Sequence, residues 1–340
     1  MKKIIPSLFI ILLLTFSCNE KVKNELPSVN YLESGSIEVL DDELRSLLNP
    51  ENGLEILAEG HHWTEGPLWI EEQKMLLYND IPRNSVFSWN DSLGVQLYLS
   101  PSGFSGENFA GSEPGANGLL LDPEGNLILC QHGNRQLAKM DSPLTDPKAT
   151  FVPLVQLFDG KRLNSPNDAV YDSKGNLYFT DHPYGLPKQM QDSSKALEFQ
   201  GVYMLEKEGE LHILDAALSR PNGIAFSPDE KVLYVANSDP DHAIWMAYDM
   251  DDDGGILSKH LFFDVTELTS KEKGLPDGLK INKDGYIFAT GPGGVFVFNP
   301  TGKHIGQIRT GQATSNVAFD AEEQTLFITA DSYVLRLKLQ

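Results

Sequence analysis

One short unit recurs through this chain, and the recurrence restricts the fold more than any composition figure does. It is clearest at Asn167-Asp168-Ala169-Val170-Tyr171-Asp172, which runs through Ser173-Lys174-Gly175-Asn176 into Leu177-Tyr178-Phe179-Thr180-Asp181-His182. A polar residue opens a short apolar run, a tight turn follows, and a second apolar run ends on a polar residue. Short β-prone runs bounded by Asp, Asn and Gly are strands joined as a hairpin. Related hairpins open at Glu65, Asn117, Asn222, Asp277 and Ser315. Each is followed by a third β-like run, at residues 86–89, 136–140, 201–205, 244–248, 294–298 and 334–337. Fourth runs follow at 97–99, 151–155, 211–214, 261–263 and 305–308. Self-similarity at this period signals a repeat architecture, and six units of about four strands predict an all-β, six-bladed propeller. The last unit has no run left for its outermost strand. Residues 54–58, ahead of the first unit, are expected to supply it and so close the ring without exposed edges. A β-sandwich or two smaller β domains would be the alternative, and six copies in register argue against it.

The remaining sequence divides simply. Lys2 and Lys3 precede an apolar stretch at residues 4–16, too short to span a bilayer and typical of a signal segment. Leu14-Thr15-Phe16-Ser17-Cys18 has the form of a bacterial lipobox, so Cys18 is expected to be lipidated. That predicts an exported lipoprotein of the cell envelope, on the periplasmic or outer-membrane face, touching the membrane only through its anchor. Residues 1–18 are then the signal segment. Residues 19–53 read as a polar tether, with a short helix near residues 41–48, and 54–340 as the propeller. The only other cysteine, Cys130, sits in an apolar run and is expected to be a buried thiol. A net charge of −21 argues against a nucleic-acid partner. A monomer is the expected state.

Register turns the repeat into chemistry. The opening positions of the units are Glu65, Asn117, Asn167, Asn222, Asp277 and Ser315, and each offers a side-chain oxygen. Inner strands of a propeller line its channel, so these positions should form one ring at one mouth. Asn-Gly at a strand start is by itself only a turn signal; the repetition gives it weight. The closing positions, Asp80, His132, His182, Ser238, Pro292 and Asp331, should form a second ring on the same rim, farther from the axis. His61 and His62 should approach it. Two carboxylates among amide oxygens make a hard-oxygen site that suits one divalent cation, Ca²⁺ first, with Mg²⁺ or Mn²⁺ as alternatives and Zn²⁺ less suited to the donors.

Several stretches carry a specific likeness: Glu65-Gly66-Pro67-Leu68-Trp69, Ala116-Asn117-Gly118, Gln131-His132-Gly133-Asn134-Arg135, Asn164-Ser165-Pro166-Asn167-Asp168, Arg220-Pro221-Asn222-Gly223-Ile224-Ala225-Phe226-Ser227-Pro228-Asp229 and Leu275-Pro276-Asp277-Gly278. Through them the chain resembles the gluconolactonase branch of the senescence-marker-protein (regucalcin-like) family. The resemblance implies a six-bladed propeller with one divalent ion in the channel mouth, directly held by Glu65, Asn222 and Asp277. It implies that Asn167 contacts either the metal or metal-bound substrate. His132 lies in a motif typical of the branch. His182 stands where the similar motif Thr-Asp-Pro-Pro-Tyr-Gly has proline.

The expected function is hydrolysis of a sugar lactone by water attack on a cation-polarised carbonyl. Asp277 is the expected catalytic base or acid, and Asn117, Asn167, His132 and His182 the expected holders of substrate hydroxyls. Gly-x-Ser-x-Gly does not occur, so a serine nucleophile is not indicated. The rival readings are hydrolysis of a phosphotriester or another ester, and a non-catalytic propeller that binds sugars or proteins around a structural metal.

Overall fold

The computed structural model describes residues 35–340 together with Met1. The expected signal segment, Cys18 and the first part of the tether lie outside the described residues.

Six antiparallel sheets follow one another in chain order as propeller blades. Blade 3 shows the pattern: its inner strand Pro166–Tyr171 pairs with Leu177–Asp181, then Gly201–Leu205, then Leu211–Asp215 on the outside. The other inner strands are Thr64–Ile70, Ala116–Leu121, Pro221–Phe226, Leu279–Ile281 and Thr314–Phe319. Each inner strand contacts the next, and the last contacts the first, so the ring is closed.

The second strands read as continuous apolar runs because both of their faces are covered. Successive residues of a strand point to opposite faces. In blade 3, Leu177 and Phe179 join Cys130 and Leu137 of blade 2, while Tyr178 joins Leu233 and Val235 of blade 4. The same division at every junction gives one apolar cluster per blade pair, six in all. Burying one such side chain contributes roughly 1.5–3 kcal/mol, so the core is shared around the ring instead of lying at its centre. Cys130 is fully buried in the cluster between blades 2 and 3.

Glu55–Ala58 pairs with Tyr333–Lys338 as the outer strand of blade 6, so the ring closes as anticipated. Glu55 and Arg336 face each other across this pair and form an ion pair at 2.6 Å. The tether expectation needs correction. Ser36–Val39 adds a fifth strand to blade 5, against His304–Arg309, and Glu38 pairs with Arg309 at 2.7 Å. A 3₁₀ helix follows over Asp42–Ser46, and Leu44 and Leu48 are fully buried between blades 5 and 6. Its sequence has too few alternating residues to reveal a strand; the pairing is decided by the free edge of blade 5.

Candidate functional site

In five blades the pairing of the inner strand slips at the ring position. Blade 2, for example, pairs Ala116 with Gln131 and then Leu119 with Leu129, which leaves Asn117 and Gly118 opposite one residue. Comparable bulges fall after Glu65, at Asn167, at Asn222 and at Ser315. A bulge bends the strand and re-aims a side chain. Glycine is needed after two of these residues for close approach. A Cβ on Gly66, which has φ +55°, would meet Asn117 O at 2.1 Å, and one on Gly223 would meet Asp277 O at 2.3 Å. Hydrogen bonds tie neighbouring blades below the ring: Asn79 Nδ2 donates to Asn117 O at 2.6 Å and Thr180 Oγ1 to Asn222 O at 2.6 Å.

The result is a cavity of about 650 Å³ at the channel mouth, into which Glu65, Asn117, Asn167, Asn222 and Asp277 all face. Ser315 does not join them. Its hydroxyl donates to Thr64 O at 2.7 Å and meets Thr329 Oγ1 at 2.8 Å, so it fastens the last blade to the first. Loops between blades supply Trp63, Glu113 and Lys273 to the cavity walls, and the loop between the second and third strands of blade 3 supplies Tyr184.

The floor is electrostatically uncomfortable. Glu65 is 1% exposed, and its Oε2 accepts from Gly66 N at 2.5 Å and Asn316 Nδ2 at 3.2 Å. Burial pushes its carboxyl up to about 7, against the pull of the Gly66 N–H, and the nearby Asp168 charge adds to the rise. Burial likewise holds Asp277 well above the usual carboxylate range, and Glu65 and Asp168 raise it further. Asp277 Oδ1 and Asn117 Oδ1 are buried without a hydrogen-bond partner. Carboxylates crowded together, beside oxygens that lack a donor, are what a divalent cation satisfies; the donor set is all oxygen and fits a hard ion. Glu65, Asn222 and Asp277, the three ligands the resemblance implies, all line this cavity and could hold such an ion.

The two histidines expected to touch substrate do not line the cavity. His132 is fully buried, with Nδ1 3.0 Å from Glu113 Oε2, and it is Glu113 that faces the cavity. His182 is fully buried and its Nε2 lies 2.6 Å from the Asn167 amide. Burial, and then the neighbouring His132, hold His182 well below the ordinary histidine range, which favours the neutral ring. Each imidazole therefore stands one layer behind a lining residue. His182 lies just beyond the end of its strand, Leu177–Asp181, so the pleat does not set its direction. Most of the second ring is scaffolding. Asp80 accepts from His62 N at 3.1 Å and meets His61 Nδ1 at 3.1 Å, while Asp181, one position before His182, accepts from Asn164 N at 2.8 Å and Ser165 N at 2.7 Å. These carboxylates hold the segments that lead into the inner strands; Ser238 alone of the second ring faces the cavity.

Residues 63–332 match the sequence profile of the SMP-30/Gluconolactonase/LRE-like region. The chain belongs to that family. Among curated SMP-30/gluconolactonase relatives, a gluconolactonase of Zymomonas mobilis is 38% identical over 311 residues, spanning 89% of this chain and 86% of that protein. Among solved structures, a gluconolactonase of Xanthomonas campestris superimposes with a TM-score of 0.80 at 30% identity, covering 92% of this chain and 97% of that one. A calcium-binding regucalcin of Agrobacterium tumefaciens shares the fold, with a TM-score of 0.63 at 17% identity over 84% of this chain and 93% of that one. The described loop residues Glu113 and Trp63 belong to no repeat, so register could not reveal them.

Proposed function

We propose that this chain is a sugar-lactone hydrolase of the gluconolactonase kind, using one divalent cation, with Ca²⁺ the best match to its donors. The observation that carries the reading is the meeting of Glu65, Asn222 and Asp277 in one cavity, with Asp277 Oδ1 lacking a partner, on a chain 38% identical to a gluconolactonase. Held by these three residues, the ion would supply Lewis acidity toward the lactone carbonyl and its developing negative charge. The chain's own groups do the rest. Asp277, ionised in that state, takes a proton from the attacking water as its oxygen bonds to the carbonyl carbon. The ring C–O bond then breaks, and the same proton passes to the departing ring oxygen, giving the open hydroxy acid. Asn117 and Asn167, facing the same cavity, hold ring hydroxyls, and Trp63 and Tyr184 form its walls.

The test is a pH-stat assay of the purified chain on a panel of aldonolactones, with a phosphotriester in parallel. It is run as prepared, after chelation and after Ca²⁺ is restored. The reading expects lactone turnover that chelation removes and Ca²⁺ returns. Turnover indifferent to chelation, or confined to the phosphotriester, would overturn it. The lipobox supports a further proposal, that the enzyme acts from the cell envelope on a lipid anchor at Cys18.

A further inference from the structure

Asn167 could serve the cavity in two opposite ways. Its amide oxygen could ligate the cation, or its amide nitrogen could donate to the substrate. The two ends of an amide have the same shape, so their neighbours decide which is which.

The deciding neighbour is His182. A neutral imidazole carries one N–H and an imidazolium two. The backbone N–H of Tyr184 points at His182 Nδ1 at 3.1 Å. A backbone N–H can only donate, so Nδ1 must be bare, which excludes both the imidazolium and the Nδ1–H tautomer. The one ring hydrogen is therefore on Nε2, which lies 2.6 Å from the position assigned to Asn167 Nδ2, and amide ends are interchangeable by a half-turn. Two donors cannot face each other at that distance, so the atom there is Oδ1. A half-turn of the buried ring would fill the same space but would set Cδ2 against the Tyr184 N–H and Cε1 against the amide, losing both hydrogen bonds. Asn167 lines the cavity, so the end of its amide turned away from His182 is the end that serves it.

We propose that His182 locks the Asn167 amide with its NH₂ toward the cavity, making Asn167 a hydrogen-bond donor to substrate and not a ligand of the cation. Of the two expectations for Asn167, metal or metal-bound substrate, the proposal takes the second. The cation then has Glu65, Asn222 and Asp277 as its protein ligands, with more of its coordination left to water and substrate. The substrate must place an acceptor oxygen, a carbonyl, ring or hydroxyl oxygen, against Asn167 Nδ2. The identity of that substrate rests on the lactone-hydrolase reading; the orientation of the amide does not.

The primary test is the tautomer of His182 in the full chain labelled with ¹⁵N-histidine, read from long-range ¹H–¹⁵N correlations with chelator and with Ca²⁺, and assigned through His182→Gln. The ring is expected to be protonated on Nε2 alone in both states. A proton on Nδ1 overturns the inference. Calorimetric titration with Ca²⁺ supplies a second readout. Asn167→Ala is expected to keep its affinity within about threefold and to lose roughly tenfold or more in kcat/KM, mostly through KM. A Ca²⁺ affinity weakened by tenfold or more would make Asn167 a ligand and end the argument. Finally, His182→Gln keeps an N–H near the place of Nε2 and His182→Leu does not. The Gln variant should retain roughly tenfold more kcat/KM than the Leu variant, and equal losses would count against a role for the N–H. Absence of wild-type lactone turnover would sink the functional reading, while the tautomer and the titration would still decide this one.

Discussion

Replacing Glu65 by glutamine should make the metal-free protein more stable, although it removes a residue placed to hold the cation. Glu65 is buried beside Asp168 and Asp277, and its carboxyl is pushed from an ordinary 4.5 up to about 7. Between those values the unfolded chain gives up the proton while the folded chain retains it. Stability therefore falls as pH rises through this window, and the whole cost stands above pH 7. A displacement of roughly 2.5 pH units corresponds to about 3 kcal/mol. Glutamine keeps a carbonyl for the Gly66 and Asn316 donors and carries no charge. At pH 8 in chelator, Glu65→Gln should gain about 3 kcal/mol, or about 5 °C in Tm for a domain of this size. Near pH 4.5 the gap should close. Saturating Ca²⁺ should raise the wild-type melting point and leave the variant nearly unchanged. Differential scanning calorimetry with chelator at pH 8 and pH 4.5 checks this. A variant that melts at or below the wild type at pH 8, or a gap that persists at pH 4.5, would refute the account of the site as a cluster of strained carboxylates.

Three other outcomes follow from the same geometry. Asp277→Asn should lower kcat by about 10²–10⁴-fold, the usual contribution of a general base, while melting stays cooperative; near-wild-type lactone turnover would count against the assigned base. Gly223→Ala places a Cβ 2.3 Å from Asp277 O, so it should cost about 1–3 kcal/mol and weaken Ca²⁺ binding in a calorimetric titration, whereas an unchanged affinity would show that the inner strands tolerate separation there. Cys18→Ala should abolish incorporation of labelled palmitate in growing cells and release the enzyme from the membrane fraction, and continued labelling would remove the lipobox reading.

The fold was legible because one hairpin recurs in register six times, with an Asp or Asn and a glycine marking the turn in blades 2, 3 and 5, and register then placed Glu65, Asn117, Asn167, Asn222 and Asp277 at one mouth. Ser315 occupies the same repeat position but spends its hydroxyl on Thr64 and Thr329, a difference that depends on where the ring closes. Glu113 and Trp63 come from connecting segments without periodicity, so nothing in the repeat marked them. His132 and His182 were recognised as belonging near the site, but lying past the last paired residues of their strands they turn behind the wall instead of into the cavity. Residues 36–39 lack a hairpin partner nearby in the sequence; their partner is residues 306–309, far along the chain.

The strand that completes blade 6 also orders the events of folding. Glu55 pairs with Arg336, so the contact that shuts the ring joins segments separated by nearly the whole domain. The four consecutive strands of each of the first five blades can assemble from neighbouring sequence as they are synthesised, but this pairing, like that of residues 36–39 with blade 5, has to wait for sequence far along the chain. Bringing such distant segments together carries a loop-closure entropy that local pairing does not, and contacts of high sequence separation go with slow folding. Residues 55–58 would spend the whole of synthesis as an unpaired strand. If the ring floor with Glu65 and Asp277 takes its final spacing only after this last join, binding of the proposed cation would be a late reporter of complete folding.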